Sequence, residues 1–443
     1  MKSTLRPLSP TEEYVRDVQP AVSPHSSIDS IPKDRTPGWS RSNRCASCNC
    51  EELETVYEFG SIPLAGAFPT TAHCPQNAAY PLTIAICRNC LLLQVLELID
   101  PHLLFDDYRY LSSVQLLEHF RQYADTVPQI VGLESQSLVV EVGCNDGTLL
   151  HELYARGFTN LLGIDPARNI TARIDKRIAV KNDFFSRSLA EQIRDERGRP
   201  SLIIANNVFA HLPDVNDFLD GIAHLLDEDG YFVFEVHSLA DLISGHQFDT
   251  IYHEHRFYYS ITSLVPLLQR YGLHIQQVDH ISTHGGSYRI FASAKAANIE
   301  VVERELGFES SLGLDRLLEY EDFSRVIKST ISRLATHINE IPEGHQIAAY
   351  GAAGRAVTLL NCIPDAAQRI SYVVDDSPER IGRHIPGVFI PVVSREALAD
   401  QPVDTVIITA WPYKEVIIDR IRSTVTGPMP RILMPLPSPE YVE

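Results

Sequence analysis

The chain has 443 residues with 38 basic and 57 acidic side chains, and its formal net charge is −19 at pH 7. So acidic a surface disfavours binding to nucleic acid or to anionic membranes. No run of about 18 apolar residues predicts a membrane span, and the first residues lack an apolar signal region. We therefore expect a cytoplasmic protein whose partner is a small-molecule substrate, and we expect a monomer because no feature favours self-association.

Composition and patterning divide the chain into five segments. The predicted segments are a disordered tail over 1–42, a metal-binding module over 43–110, an α/β domain over 111–297, a helical connector over 298–340 and a second α/β domain over 341–443. The tail is rich in Ser, Pro and Asp and has few large apolar groups. In both α/β domains apolar strand-like runs alternate with helical stretches, which is typical of mostly parallel sheets.

Seven strands and one long helix are specific enough to predict. The strands are expected at 137–142, 161–164, 202–205, 231–235, 346–350, 370–374 and 404–409, and the helix at 310–339. The expected fold class is therefore α/β, with a small N-terminal metal-binding module, a central Rossmann-like domain and a C-terminal Rossmann-like domain.

A glycine-bordered loop follows the first of these strands. Gly143 and Gly147 let the backbone approach a ligand closely, and the helix that follows offers free N–H groups. About 20 residues later a second strand ends in Asp165, where an acid can hold two ribose hydroxyls. The spacing differs from the Gly-x-Gly-x-x-Gly pattern of dinucleotide sites and resembles the S-adenosylmethionine loop of class I methyltransferases. An ordinary tight turn is the alternative.

Asp183 follows another short apolar stretch, where such enzymes often place an acid near the adenine. The residues predicted to contact the cofactor are Glu141, Gly143, Asn145, Asp146, Gly147, Asp165, Asp183 and Asn206.

Four cysteines form two Cys-x-x-Cys pairs, Cys45 with Cys48 and Cys87 with Cys90. Two such pairs separated by about 40 residues can place four thiolates on one tetrahedral, structural Zn²⁺. Cys50 could compete with Cys48, although the x-x spacing favours Cys48. Four unrelated thiols, a redox pair or iron in the same site are the alternatives.

Proton carriers are dense from Tyr252 to His255. A histidine near its ordinary pKa of about 6.5 is a natural general base. The cluster is predicted to be catalytic, with a structural hydrogen-bond cluster and a metal site as alternatives. His211 follows a strand that should end at the cofactor cleft, so it is either functional or merely packed. Gly285 and Gly286 either admit a ligand to the backbone or form a bulge between strands.

These motifs together resemble one family, the three-domain sugar C-methyltransferases that act on nucleotide-linked keto-deoxysugars in natural-product pathways. The resemblance covers roughly residues 44–437. It is carried by the four cysteines, Tyr80-Pro-Leu, Asp107-Tyr-Arg-Tyr-Leu-Ser-Ser113, the loop from Glu141 to Thr148, Asn207-Val-Phe-Ala-His-Leu-Pro-Asp214, Tyr252-His-Glu-His255, Thr283-His-Gly-Gly-Ser287, Tyr350-Gly-Ala-Ala-Gly-Arg355, Asp375-Asp-Ser-Pro378 and Pro386-Gly387.

The resemblance implies a zinc-binding module, a methyltransferase domain and a C-terminal domain that holds the nucleotide diphosphate. It also implies that a base removes a proton beside the sugar ketone, after which the enolate attacks the methyl of S-adenosylmethionine. His255 is the implied base, supported by Tyr252 and Glu254, and His211 is implied to contact the sugar or its oxyanion. The residues implied to contact the substrate are Tyr108, Tyr110, His253, Gly285, Gly286, Gly351, Gly354 and Arg355.

Three other functions remain compatible with the sequence. A methyltransferase of the same fold could act on a non-sugar substrate or on an oxygen or nitrogen nucleophile, which would not need a carbon base. A zinc-stabilised binding module without turnover is a second alternative, and a dinucleotide-dependent oxidoreductase is a third.

Overall fold

The computed structural model describes residues 38–71, 78–105, 112 and 116–442. Tyr108, Tyr110, Cys74 and most of the predicted tail lie outside the described residues. The end of that predicted tail is instead a strand at Trp39–Arg41, because these residues pair with a strand at Glu97–Ile99. Among the described helices, none combines the length and the apolar character that crossing a bilayer requires.

The N-terminal module is built from short antiparallel strands. Its elements are β1 (Trp39–Arg41), β2 (Leu53–Pro63), β3 (Ala79–Cys87), β4 (Leu93–Val95), β5 (Glu97–Ile99) and helix α1 (Pro101–Phe105). β2, β3 and β4 form a sheet whose fourth strand, Phe257–Tyr258, comes from much later in the chain. The module is thereby joined to the next domain by backbone hydrogen bonds.

The central domain is a seven-stranded sheet with helices on both faces. Its strands are β6 (Val139–Val142), β7 (Leu161–Ile164), β8 (Ala179–Lys181), β9 (Leu202–Asn206), β10 (Tyr231–His237), β12 (His274–Ile281) and β13 (Ser287–Ser293), with β11 (Phe257–Tyr258) in the N-terminal sheet. Its helices are α2 (Leu117–Ile130), α3 (Thr148–Ala155), α4 (Arg168–Thr171), α5 (Arg187–Arg197), α6 (Val215–Leu225), α7 (Leu239–Ser244) and α8 (Ile261–Gln269), with 3-10 turns at Phe248–Thr250 and Thr283–Gly285.

The strand order of this sheet is β12-β13-β10-β9-β6-β7-β8, with β13 antiparallel to its neighbours and the five strands from β10 to β8 parallel. β6, β7 and β9 are buried along their whole length. Burial on both faces explains why these strands are continuous apolar runs in the sequence. Their carboxyl ends meet at one edge of the sheet, which is where ligands bind in such folds.

The connector consists of two helices, α9 (Ile299–Ser311) and α10 (Leu317–Asn339). The predicted single helix over 310–339 is therefore wrong at its start. Gly313 has a φ of 81° between the two helices. Such a left-handed residue ends an α-helix, and glycine adopts it without a steric penalty.

The C-terminal domain is a second, smaller α/β unit. Its strands are β14 (Ile347–Tyr350), β15 (Ile370–Val374), β16 (Val392–Val393), β17 (Thr405–Ile408), β18 (Arg431–Met434) and β19 (Glu440–Val442), in the order β16-β15-β14-β17-β18-β19. Its helices are α11 (Gly354–Asn361), α12 (Pro364–Ala367), α13 (Ala397–Asp400) and α14 (Lys414–Thr424), with a 3-10 turn at Trp411–Tyr413. All strand pairs are parallel except β18 with β19.

A cavity of about 820 Å³ lies where the three parts of the chain meet. The N-terminal module contributes Leu64 to Thr70, the central sheet contributes the loops after its parallel strands, and the C-terminal domain contributes the loop after β14. The fold thus places the carboxyl edges of both parallel sheets around one space.

Candidate active site

Four thiols of the N-terminal module converge on one point. The sulfur atoms of Cys45 and Cys90 are 3.5 Å apart, as are those of Cys48 and Cys87. All four sulfurs lie within 4.8 Å of one another, and among the described residues this is the group that can hold a metal ion. Four sulfurs in this arrangement suit one tetrahedral Zn²⁺ and leave no position for water, so the ion has a structural role.

The loop after β6 meets the carboxyl group of Asp165 at the end of β7. Asp165 accepts the backbone N–H of Asn145 at 3.0 Å and that of Ala167 at 2.9 Å. Gly143 has a φ of 70°, and a side chain there would overlap Val208. The loop can therefore run close to the carboxylate only with glycine at this position. A carboxylate held in this way retains lone pairs that can accept ribose hydroxyls.

Two buried polar groups beside this loop have no hydrogen-bond partner among the described residues. They are Oε2 of Glu141 and both polar atoms of the Asn206 side-chain amide. Burial, with repulsion from the Asp146 and Asp165 carboxylates, raises the pKa of Glu141. Unpaired buried polar atoms are costly unless a ligand supplies the partner. Donors and acceptors in this pocket therefore fit S-adenosylmethionine, which carries ribose hydroxyls, an amino group and a carboxylate.

His255 is held with its proton on a defined nitrogen. Its Nδ1–H donates to the carbonyl oxygen of Thr250 at 2.9 Å, and a carbonyl can only accept. Nε2 is therefore the basic nitrogen, and it accepts the hydroxyl of Tyr252 at 2.8 Å. His211 is fixed similarly, because its Nδ1–H donates to the carbonyl oxygen of Glu254 at 2.7 Å.

Four imidazole rings form a row along the cavity wall. The ring centres of His211 and His255 are 4.8 Å apart, those of His255 and His237 are 4.9 Å apart, and those of His237 and His284 are 5.4 Å apart. Burial lowers the pKa of His211 and of His284 to about 4. Burial and neighbouring positive charge hold the pKa values of His237 and His255 well below the ordinary range. At neutral pH the whole row is uncharged, as a general base requires.

The segment that carries His255 is bound to the N-terminal module. Oε1 of Glu254 accepts the backbone N–H of Gly66 at 3.0 Å, and burial raises the pKa of Glu254. Nε2 of His253 donates to the carbonyl oxygen of Pro81 at 2.9 Å. His253 therefore faces β3, and it does not line the cavity.

The C-terminal domain closes the opposite side of the cavity. Gly351 has a φ of 109°, and a side chain there would overlap Ala410. A β-carbon added to Gly354 would lie 3.1 Å from Cζ of Tyr252, so the two domains touch at this glycine. Arg355 lines the cavity, while its guanidinium faces Asp249 at 3.5 Å.

Gly285 is the last residue of the 3-10 turn between β12 and β13, and Gly286 follows it directly. The carbonyl oxygen of Gly285 accepts the side-chain amide of Gln247 at 2.6 Å. A side chain on Gly286 would overlap Asp241. Packing against protein accounts for both glycines, and neither lines the cavity.

The structure brings most of the predicted residues to one cavity. Those that line it are Tyr252, Glu254, His255, His211, Glu141, Gly143, Asn145, Asp165, Asp183, Asn206, Gly351, Gly354 and Arg355. Asp146 and Gly147 lie behind them at the start of α3, where the Thr148 hydroxyl donates to Asp146 at 2.5 Å.

The cavity residues that sequence analysis did not assign to the site include His237, His284, Arg380 and Arg383. His237 ends β10, so the rule that ligands bind at the carboxyl ends of parallel strands was the available signal. The two arginines lie beyond β15, between the motifs Asp375-Asp-Ser-Pro378 and Pro386-Gly387, and neither motif indicates that the arginines reach the cavity.

Comparison with known proteins places each part of the chain. Residues 45–105 match a family described as "Putative zinc binding domain", residues 111–278 match a methyltransferase domain, and residues 282–437 match a C-methyltransferase C-terminal domain. The C-methyltransferase NovU from Streptomyces niveus is 32% identical over 410 residues, which covers 90% of this chain and 97% of that protein. The chain belongs to the sugar C-methyltransferase family.

As a member of this family, the protein is an S-adenosylmethionine-dependent C-methyltransferase with an N-terminal zinc-binding domain. The predictions of enzyme class, cofactor, zinc and α/β fold are confirmed, and so is the resemblance on which they drew. The alternatives of a non-catalytic binding module and of an oxidoreductase are not supported.

Solved structures also resemble part of this C-methyltransferase. The magnesium protoporphyrin IX methyltransferase of Synechocystis PCC 6803 is 15% identical, with a TM-score of 0.31, and covers 42% of this chain and 83% of that chain. An S-adenosylmethionine-dependent methyltransferase from Clostridium acetobutylicum ATCC 824 is 11% identical, with a TM-score of 0.33, and covers 42% of this chain and 96% of that chain. Scores this low carry no information about substrate.

Proposed function

We propose that this protein methylates the carbon beside the ketone of a nucleotide-linked keto-deoxysugar, with His255 as the base. The observation that carries the proposal is the state of His255: neutral, buried, and fixed by Thr250 with its basic nitrogen at the cavity. A carbon acid needs such a base, whereas an oxygen or nitrogen nucleophile that is already reactive does not.

Tyr252 shares the basic nitrogen of His255 before the substrate arrives. A bound sugar displaces this hydroxyl, and Nε2 then accepts the proton from the carbon beside the ketone. The released hydroxyl turns to the ketone oxygen and donates a hydrogen bond as negative charge develops there. The basic nitrogen of His211 lies on the same wall, and Glu254 holds the segment against the N-terminal module.

The cofactor pocket adjoins this base. Glu141, Asn145, Asp165, Asp183 and Asn206 are the polar residues proposed to hold S-adenosylmethionine, with Gly143 giving the backbone close approach. When bound there, the cofactor supplies its methyl group: the enolate carbon forms the new C–C bond as the C–S bond breaks, and the sulfur keeps the electron pair. The proton taken by His255 returns to solvent before the next turnover.

The nucleotide is proposed to lie against the C-terminal domain. Gly351 and Gly354 flank the turn between β14 and α11, and Arg355, Arg380 and Arg383 line the cavity beside it. Arg355 and Arg380 face carboxylates of the protein, whereas Arg383 donates to backbone carbonyl oxygens. Guanidinium groups recognise phosphate well. Tyr108 and Tyr110, implied by the family resemblance, are proposed to contact the sugar.

A solvent-exchange experiment tests the proposal. A panel of nucleotide-linked 4-keto-6-deoxysugars is incubated in D₂O with and without S-adenosylmethionine and followed by NMR and mass spectrometry. We expect deuterium beside the ketone, and one added methyl when the cofactor is present. Replacing the base by His255→Asn retains a donor for Thr250, but should slow exchange by about 100-fold or more.

His337→Asn is the matched control, because His337 lies in the last turn of α10, donates to the carbonyl oxygen of Arg333 and does not line the cavity. We expect this variant to exchange deuterium at the wild-type rate. If no sugar of the panel exchanges or gains a methyl while S-adenosylmethionine still binds, the sugar proposal fails. Methyl transfer that survives His255→Asn would instead indicate an oxygen or nitrogen nucleophile.

A further inference from the structure

The C-terminal domain also contacts the segment that carries the base, just as the N-terminal module does. Asp249 is fully buried in the 3-10 turn just before Thr250. One of its carboxylate oxygens accepts Nε1–H of Trp411 at 2.8 Å, and the other faces Arg355 at 3.5 Å. The Arg355 guanidinium also stacks over the Trp411 ring at 5.0 Å and donates to the carbonyl oxygen of His284.

Two further contacts reach the same segment from α11. The buried hydroxyl of Thr358 donates to the carbonyl oxygen of Ile251 at 2.9 Å. Gly354 packs so closely against Tyr252 that a β-carbon there would lie 3.1 Å from the ring. The C-terminal domain therefore contacts residues 249, 251 and 252 of the segment 249–252.

These contacts surround the one carbonyl that orients His255. Thr250 lies between Asp249 and Ile251, which both hydrogen-bond to the C-terminal domain, and its carbonyl oxygen accepts Nδ1–H of His255. A shift of the backbone on either side would move this acceptor, and with it the nitrogen that takes the substrate proton. Positioning of this kind matters in catalysis because misplacement by about 1 Å can cost 100-fold in rate.

We propose that Asp249, Thr358 and Trp411 are positioning residues for His255, through which the C-terminal domain takes part in catalysis as well as in substrate binding. This inference rests on the proposed role of His255 as base. None of the three residues lines the cavity, so an effect on the chemistry has to pass through the segment 249–252. Arg355 belongs to the same set of contacts, because its guanidinium faces Asp249, donates to the carbonyl oxygen of His284 and stacks over Trp411.

Two conservative variants of the full-length protein test the proposal. Thr358→Val removes one hydroxyl at nearly constant volume, and Trp411→Phe removes one N–H while keeping an aromatic ring. We expect each to slow deuterium exchange and kcat by about 5- to 50-fold, since each leaves a buried acceptor unpaired. KM for S-adenosylmethionine should stay at the wild-type value, because its pocket lies at β6 and β7.

Thr405→Val is the matched control. Thr405 is a buried threonine of the same domain, at the start of β17 and hence at the edge of the sheet away from the cavity. We expect wild-type exchange in this variant. If Thr358→Val and Trp411→Phe exchange deuterium as fast as Thr405→Val, the positioning role is overturned.

NMR of the protein labelled with ¹⁵N at histidine reads the position of His255 without any substrate, with His255→Asn to assign the signal. In the wild type the proton should reside on Nδ1. In Thr358→Val and Trp411→Phe the Nδ1–H signal should shift, and the fraction of that tautomer should fall. Unchanged His255 signals in both variants overturn the proposal. A wild-type protein that exchanges no deuterium overturns the proposed function instead, and the NMR result still decides the positioning role.

Discussion

His255 shows how neighbouring backbone sets the chemistry of a single side chain. The sequence left open which residues of Tyr252 to His255 share a face. The structure places a turn there, since the backbone N–H of His255 donates to the carbonyl oxygen of Tyr252 at 3.0 Å. The turn brings residues three apart together, so Tyr252 meets His255, while His253 and Glu254 point to the N-terminal module.

The buried base predicts a specific pH dependence. Burial, then the charges of His211 and His237 when protonated, lowers the pKa of His255 below its ordinary value. A base works when neutral, so the rate of deuterium exchange should stay level as pH falls from about 8 to about 6.5 and decrease only below that. Binding of S-adenosylmethionine at each pH separates loss of the base from loss of the fold. A half-maximal rate above about pH 7 would contradict the prediction.

Among the secondary-structure elements, the parallel strands were the easiest to predict and the connector the hardest. β7 and β15 have the predicted bounds, because continuous apolar runs follow from burial on both faces. The connector is interrupted by five residues between α9 and α10, where Gly313 adopts a left-handed conformation. A glycine within an amphipathic pattern does not show by itself whether the helix stops.

The zinc-binding module predicts an effect of metal loss on the cavity. Cys87 and Cys90 end β3 and precede β4, and β3 pairs with β2, whose end continues into the cavity residues Leu64 to Thr70. Cys90→Ser should release the zinc, lower the melting temperature by roughly 10 °C and reduce exchange, because structural zinc contributes directly to folding. Metal content, calorimetry and the exchange assay measure these effects.

Cys50→Ser is the control within the same module. Its Sγ accepts the backbone N–H of Glu52 at 3.3 Å, and Cys50 is not one of the four clustered thiols. We expect one zinc per chain and a melting temperature close to that of the wild type. Loss of zinc from Cys50→Ser together with its retention in Cys90→Ser would show that the ligand set is different.

Over the whole molecule, an acidic chain places three arginines on the C-terminal side of its cavity, and Arg383 is one of them. Arg383 donates to the carbonyl oxygens of Glu379 at 2.9 Å and Phe68 at 3.2 Å, and no carboxylate of the described residues is in ion-pair range. Its charge is therefore available to a phosphate. Arg383→Gln should raise KM for the nucleotide-linked sugar roughly tenfold and leave S-adenosylmethionine binding unchanged.

Arg422→Gln is the control for this substitution, since Arg422 lies exposed on α14 and pairs with Asp419. We expect KM for the nucleotide-linked sugar to keep its wild-type value in this variant. If Arg383→Gln binds the nucleotide-linked sugar as tightly as the control does, the phosphates lie elsewhere in the cavity.

The sequence alone determined the fold class, the cofactor, the zinc ligands' spacing and the segment from Tyr252 to His255. These are local signals, in which neighbouring residues act together through one turn, one strand or one metal knuckle. The tertiary structure alone decided which nitrogen of His255 is basic, that His237 and His284 extend the row of imidazoles, and that Arg380 and Arg383 reach the cavity. The tautomer depends on the geometry of one turn, in which Thr250 accepts from His255, and the other features depend on contacts between residues far apart in the chain. No periodicity or spacing records either kind of contact.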